Sequence, residues 1–179
     1  AFSLEKIHTA GARFDIHKAQ WYNQQYLRAK DEAEIAKLVQ SSTTRLIDDK
    51  LAAQLVTLMK ERVTFPSEMV THVPYIFDAP ATYDEAVAAK AWNDLAKQAM
   101  PLIIGAFEAI AADAFVSQTI HDTLFAALEG NGIKPGKVMQ ALRLATTGEG
   151  KGADLMLTLE ILGKNETISR INKASAILG

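Results

Sequence analysis

Arg62 and Arg143, each near the end of a predicted helix, carry guanidinium groups, which offer a flat stacking face and paired donors in a rigid fork and so could serve molecular recognition. Each also has an ordinary explanation. An Arg near a helix end is favoured by the helix dipole, or sits in a surface salt bridge worth little. Downstream of Arg143 come Gly148, Gly150 and Gly152. This triplet lacks the preceding strand and the following Lys-Ser or Lys-Thr of a phosphate-binding loop, so on its own it reads as a flexible connection between helices.

Other chemistry finds little support. His8, His17, His72 and His121 share no helix turn as a ligand pair, and the single Glu5-x-x-His8 spacing is half of what a di-iron bundle needs. No metal site is expected. Cysteine is absent and there is no Gly-x-Ser-x-Gly, so neither a thiolate site, a disulfide framework nor a serine nucleophile elbow is expected.

The elements that must position these residues read as helices throughout. One is expected from Ser3 to about Gly11. Asp15 caps the next, with Ile16, Ala19, Tyr22, Tyr26 and Leu27 along one side, and Asp31 with Glu34 has capping-box spacing ahead of Ile35, Leu38 and Val39. The clearest amphipathic stripe is Ile47, Leu51, Leu55, Leu58 and Met59, with Lys60, Glu61 and Arg62 in its last turn. Pro74 and Pro80 bracket Tyr75-Ile76-Phe77 in a hinge over 67–82. A helix is then expected from Tyr83-Asp84 through Met100, with Pro101 opening or kinking its successor, and the apolar residues of 102–128 supply a second core. The densest punctuation lies in 131–176. It predicts three short helices: Pro135 through Ala145 with Gly148 as the left-handed residue beyond it, Ala153 to Leu162 stopped by Gly163, and a last one capped by Asn165.

Composition is that of an ordinary globular protein, with 49% hydrophobic and 22% charged residues among 179. No run approaches the roughly 20 apolar residues of a membrane helix, and no signal peptide is visible. The formal net charge is −2, unlike a nonspecific nucleic-acid binder, but it is unevenly placed. Residues 1–132 hold 12 Lys and Arg against 17 Asp and Glu, whereas 133–179 hold 7 against 4.

That positive stretch carries a family resemblance. Lys134-Pro135-Gly136-Lys137, the run from Gln140 to Gly148, Asp154-Leu155, Leu162-Gly163-Lys164 and Ile168-Ser169-Arg170-Ile171 together resemble the carboxy-terminal end of bacterial glutamyl-tRNA synthetases. Gly11 to Asp15 with Lys18, Trp21, Asn23, Tyr26 and Leu27 resembles the segment just beyond that family's catalytic domain. The resemblance implies an all-α fold in two helical lobes, 1–82 against the tRNA stem and inner bend and 83–179 cradling the anticodon loop. By the same resemblance, Arg143 faces the anticodon, Arg62 reads its last base, and Gly152, Ala153 and Leu155 belong to the loop that meets the bases. Gly148, Gly150 and Gly152 would let backbone approach an unstacked base. Ala153 departs from the Pro frequent in the family. Trp21 and Asn23 are expected to pack and hydrogen-bond inside the first lobe.

The expectation is therefore a cytoplasmic, monomeric tRNA-binding fragment, opening without Met in the middle of a longer protein. It lacks His-Ile-Gly-His and Lys-Met-Ser-Lys-Ser, so it is expected to be non-catalytic and without a cofactor. The resembled parent enzyme uses ATP and Mg²⁺ in a catalytic domain missing here. The rival is a helical protein-interaction module with no RNA role, which salt dependence of binding would separate from the first.

Overall fold

The computed structural model describes residues 15–179. The helix expected from Ser3, the Glu5–His8 spacing and Gly11 to Phe14 lie outside the described residues. Among the described residues the chain is all-α, with ten helices and no strand: α1 (Ile16–Ala29), α2 (Glu32–Ser41), α3 (Asp49–Met59), α4 (Glu68–Thr71), α5 (Glu85–Ala91), α6 (Asp94–Ala109), α7 (Ser117–Gly130), α8 (Met139–Thr147), α9 (Leu155–Leu162) and α10 (Lys164–Leu178). Short 3-10 turns at Pro74–Ile76, Ala112–Ala114 and Pro135–Lys137 link some of them.

Most starts are set by one short polar side chain that accepts from otherwise unpaired amides of the first turn. Asp15 accepts from the His17 and Lys18 amides, Asp31 from Ala33 and Glu34, Asp48 from Leu51, Asp84 from Val87, Asn93 from Ala96, and Asp154 from Leu157. Asn93 breaks the single helix expected over 83–100 into α5 and α6. The apolar spacing runs on across Trp92-Asn93 and conceals this break. Pro101 neither opens α6 nor ends it, but lies inside it. α10 begins one residue before Asn165, with Gly163 in the cap position.

Two apolar clusters form the interior. The smaller joins Leu27, Ile35 and Val39 to Leu55, Val56 and Met59 of α3, then Met69, Val73 and Tyr75; the larger gathers residues of α5 through α10. α9 serves both. Leu155 and Leu159 enter the larger cluster, while Leu157 and Ile161, with Ala153 just ahead of the helix, pack on the smaller.

The expected inward face of α1 is corrected by the structure. Only Leu27 of this helix is buried, and Trp21, Tyr22 and Tyr26 are 54%, 56% and 69% exposed. Leu27 and Asn23, four residues apart, mark the side that meets the lobe, and the three aromatics lie about 100–140° around the helix from Leu27. Asn23 does hydrogen-bond inward, through Nδ2 to the Thr64 carbonyl. Leu38 of α2 also points outward, at 41% exposure.

Candidate nucleic-acid interface

The site is built where α8 stops. Thr147 Oγ1 turns back to the Arg143 carbonyl at 2.8 Å, and Gly148 leaves the helix at φ 80°. Only glycine fits at position 148. A Cβ there would lie 2.8 Å from the Thr82 carbonyl oxygen and 2.9 Å from Pro80 Cβ, and the Gly148 carbonyl is itself taken by the Asp84 amide at 2.9 Å. The loop after α8 is therefore tied to the segment that connects the two clusters. It ends at Asp154, whose side chain caps α9.

Two guanidinium groups grip this loop at consecutive residues. Arg62 Nη2 donates to the Gly152 carbonyl at 3.0 Å, and Arg143 Nη1 to the Ala153 carbonyl at 2.7 Å. Arg62 lies in the turn beyond α3, where its amide bonds the Met59 carbonyl. That turn is held by Arg28 on the Glu61 carbonyl and by the Glu68 carboxylate on the Thr64 and Phe65 amides. Gly152 is hemmed in: a Cβ there would stand 3.2 Å from Tyr75 Oη and 3.3 Å from Arg143 Nη1.

Burial holds the Arg143 pKa below the ordinary guanidinium value, and the nearby Arg62 pushes the same way; Tyr75, Asp154 and Glu149 oppose them. Arg143 remains a cation at neutral pH. The Tyr75 hydroxyl is buried beside the Ala153 backbone, and its pKa is raised chiefly by burial, which a hydrogen bond from that backbone and the charges of Arg143 and Arg62 oppose. Arg143 also borders an open groove of about 420 Å³ with Met139, Gln140, Leu155 and Met156. Donors beside a thioether and aliphatic floor suit a flat ring with a polar edge.

Beneath the loop sits Arg170, 3% exposed. Its Nη1 donates to the Tyr75 carbonyl at 2.6 Å and the Thr146 carbonyl at 2.9 Å, and its Nε to Glu166 at 2.7 Å. One buried cation thus joins the first cluster to the end of α8.

A family model described as an anticodon binding domain matches residues 19–175. This chain belongs to that family. The glutamate–tRNA ligase of Cytophaga hutchinsonii is 40% identical across 97% of this chain and 34% of its own length, and that of Porphyromonas gingivalis strain ATCC 33277 is 38% identical across 99% and 35%. A crystal structure of a glutamate tRNA ligase from Elizabethkingia meningosepticum, in complex with its amino acid, superposes with a TM-score of 0.87 at 38% identity, covering 99% of this chain and 36% of that one. The chain spans about a third of the length of these relatives.

Within this anticodon-binding domain the structure brings Arg62, Arg143, Gly152, Ala153 and Leu155 together around one loop. Their attachments differ from a free reading head, because each arginine already spends one donor on loop backbone. Ala153, standing where the resembled family often has Pro, is 3% exposed and belongs to the first apolar cluster. Sequence reasoning missed Tyr75, Met156 and the joining role of Arg170. For Arg170 a signal existed in the i,i+4 pair with Glu166, but its carbonyl partners are 24 and 95 residues away.

Proposed function

We propose that this chain is the anticodon-reading part of a glutamate–tRNA ligase, with Arg62, Arg143, Gly152, Ala153 and Leu155 forming the contact to the anticodon loop. The observation that carries the reading is the convergence of Arg62 and Arg143 on adjacent carbonyls of one glycine-containing loop beside an open groove. Each guanidinium keeps further N–H donors for base edges or phosphates. Residues 1–82 would meet the stem and inner bend of the tRNA and 83–179 the anticodon, consistent with two apolar clusters joined at the loop.

The parent ligase would activate glutamate with ATP and Mg²⁺ in cytoplasmic protein synthesis, acting as a monomer. Among the described residues no group of three His, Cys, Asp or Glu side chains is placed to hold a metal ion. On this reading ATP and Mg²⁺ belong to the catalytic part of the parent ligase. No helix among the described residues is long and apolar enough to cross a membrane.

The test is a titration with glutamate tRNA at two salt concentrations, with a noncognate tRNA alongside. Affinity should fall steeply with salt and favour the cognate tRNA. Arg143→Ala should weaken cognate binding by about 1–3 kcal/mol if it removes a good base contact. Unchanged affinity with an intact circular dichroism spectrum would return Arg143 to a purely structural role.

A further inference from the structure

Asp154 and Arg143 line the same open groove with opposite charges, yet they form no ion pair with each other. Asp154 is exposed and spends one carboxylate oxygen on the Leu157 amide, at 2.9 Å, where it caps α9. Its second carboxylate oxygen has no hydrogen bond or ion pair among the described residues. The two charges are near enough to feel each other: burial lowers the Arg143 pKa, and Asp154 is among the groups that push it back up. Arg143 places its Nη1 on the Ala153 carbonyl, one residue earlier in the chain, and keeps its other donors.

The groove therefore offers guanidinium donors and a carboxylate acceptor beside the apolar side chains of Met139, Leu155 and Met156. A guanidinium alone reads only acceptors, and a carboxylate reads only donors. The Watson–Crick edge of an unstacked base carries both kinds of group side by side, so the pair can sense their order along the edge. A phosphate in the same place would meet the repulsion of the carboxylate, which favours a base over nucleic-acid backbone as the occupant.

We propose that Asp154 is a specificity-determining residue of this groove: its second carboxylate oxygen accepts an N–H from the base to which Arg143 donates. That base is the first or the middle one of the anticodon, because the third is assigned to Arg62. The proposal rests on the anticodon-reading function proposed above and adds an acceptor that no arginine can supply.

The experiment measures binding of glutamate tRNA, and of a tRNA with an unrelated anticodon, by wild type, Asp154→Asn and Asp154→Ser, with urea unfolding in parallel. Both replacements keep a side-chain oxygen for the α9 cap, so the urea midpoints should stay close to that of wild type. In Asp154→Asn the cap holds the amide oxygen on Leu157 and leaves the NH₂ for the groove, a donor where the base needs an acceptor. Glutamate tRNA should bind roughly 10- to 100-fold more weakly, the worth of a hydrogen bond to a charged group. The unrelated tRNA, relieved of a negative charge near its phosphates, should bind as well as before or better. Asp154→Ser should show the same split. Among glutamate tRNAs altered singly at the first or the middle anticodon base, one alteration should weaken binding by wild type and cost Asp154→Asn much less. If Asp154 serves only as a cap, both tRNAs gain alike and each base alteration costs the variant as much as wild type. Either of those results would overturn the assignment while leaving the anticodon reading standing. Failure of wild type to prefer glutamate tRNA would overturn both.

Discussion

Arg170 donates to the Tyr75 carbonyl at 2.6 Å from within the protein interior. The bond spans 95 residues and fixes the 3-10 turn of the first cluster against the end of α8, where the Thr146 carbonyl shares the same nitrogen. Arg170→Met keeps the unbranched stem but removes the guanidinium and strands both carbonyls. It should cost about 2–5 kcal/mol in urea unfolding, with Arg170→Lys recovering only part because an ammonium cannot reproduce the fork. A loss below about 1 kcal/mol would mean that the carbonyls find other partners.

Gly148 and Gly132 separate backbone strain from crowding. Both have positive φ, 80° and 73°, but a Cβ at 132 meets nothing within 4 Å, whereas one at 148 strikes the Thr82 carbonyl and Pro80. Gly132→Ala should cost about 1–2 kcal/mol, the price of the left-handed conformation. Gly148→Ala should cost more and also lower tRNA affinity, since the loop it anchors carries Gly152. Equal losses at both sites would show that the 80–82 segment yields freely.

Arg62 is the proposed reader of the third anticodon base, where glutamate and glutamine tRNAs differ as C against G. Cytosine presents acceptors to the all-donor guanidinium; guanine presents N1–H and N2–H₂ donors that would face it unpaired. Arg62→Gln, which adds an acceptor, should narrow the preference mainly by admitting glutamine tRNA. It also shortens the reach to the Gly152 carbonyl, so stability is measured in parallel. An unchanged ratio among glutamate tRNA, glutamine tRNA and a glutamate tRNA altered only at that base would remove Arg62 as discriminator.

Tyr75 should make the fold sensitive to alkali. Burial raises its pKa, so the unfolded chain ionises this phenol first, near pH 10. The folded state's advantage is complete below that unfolded value and is lost as pH rises through the folded one. The urea midpoint of wild type should fall faster than that of Tyr75→Phe above about pH 10. Parallel curves would contradict the buried phenol.

Local signals were legible in the sequence and long-range ones were not. Asp15, Asp31, Gly148 and Gly163 act within a few residues of themselves, and their roles as caps or stops follow from residue type and spacing. Asn93 is also a local cap, yet an unbroken apolar period hid it. The exposure of Trp21 was opaque because side-chain bulk says nothing about which face of α1 meets a neighbour. At the site, resemblance brought Arg62 and Arg143 into view, but their grip on Gly152 and Ala153 was not, since Arg62 finds its carbonyl 90 residues away. Glu160 is similar: it accepts the Ser117 amide at 2.6 Å, capping α7 from another helix. Lys164 likewise reaches the Ile110 carbonyl at the end of α6, at 2.8 Å.

α9 gives one side to each apolar cluster, with Leu155 and Leu159 in the larger and Leu157 and Ile161 against the smaller. A helix shared in this way cannot detach from one partner without uncovering leucines that the other partner does not shield. Melting in the first cluster thus propagates into the second through eight residues, and the pair should lose structure as one cooperative unit. Amides of α3 and α8, far apart in the chain, would then exchange with solvent at a common rate, and the loop at Gly152 would open only when that whole unit does.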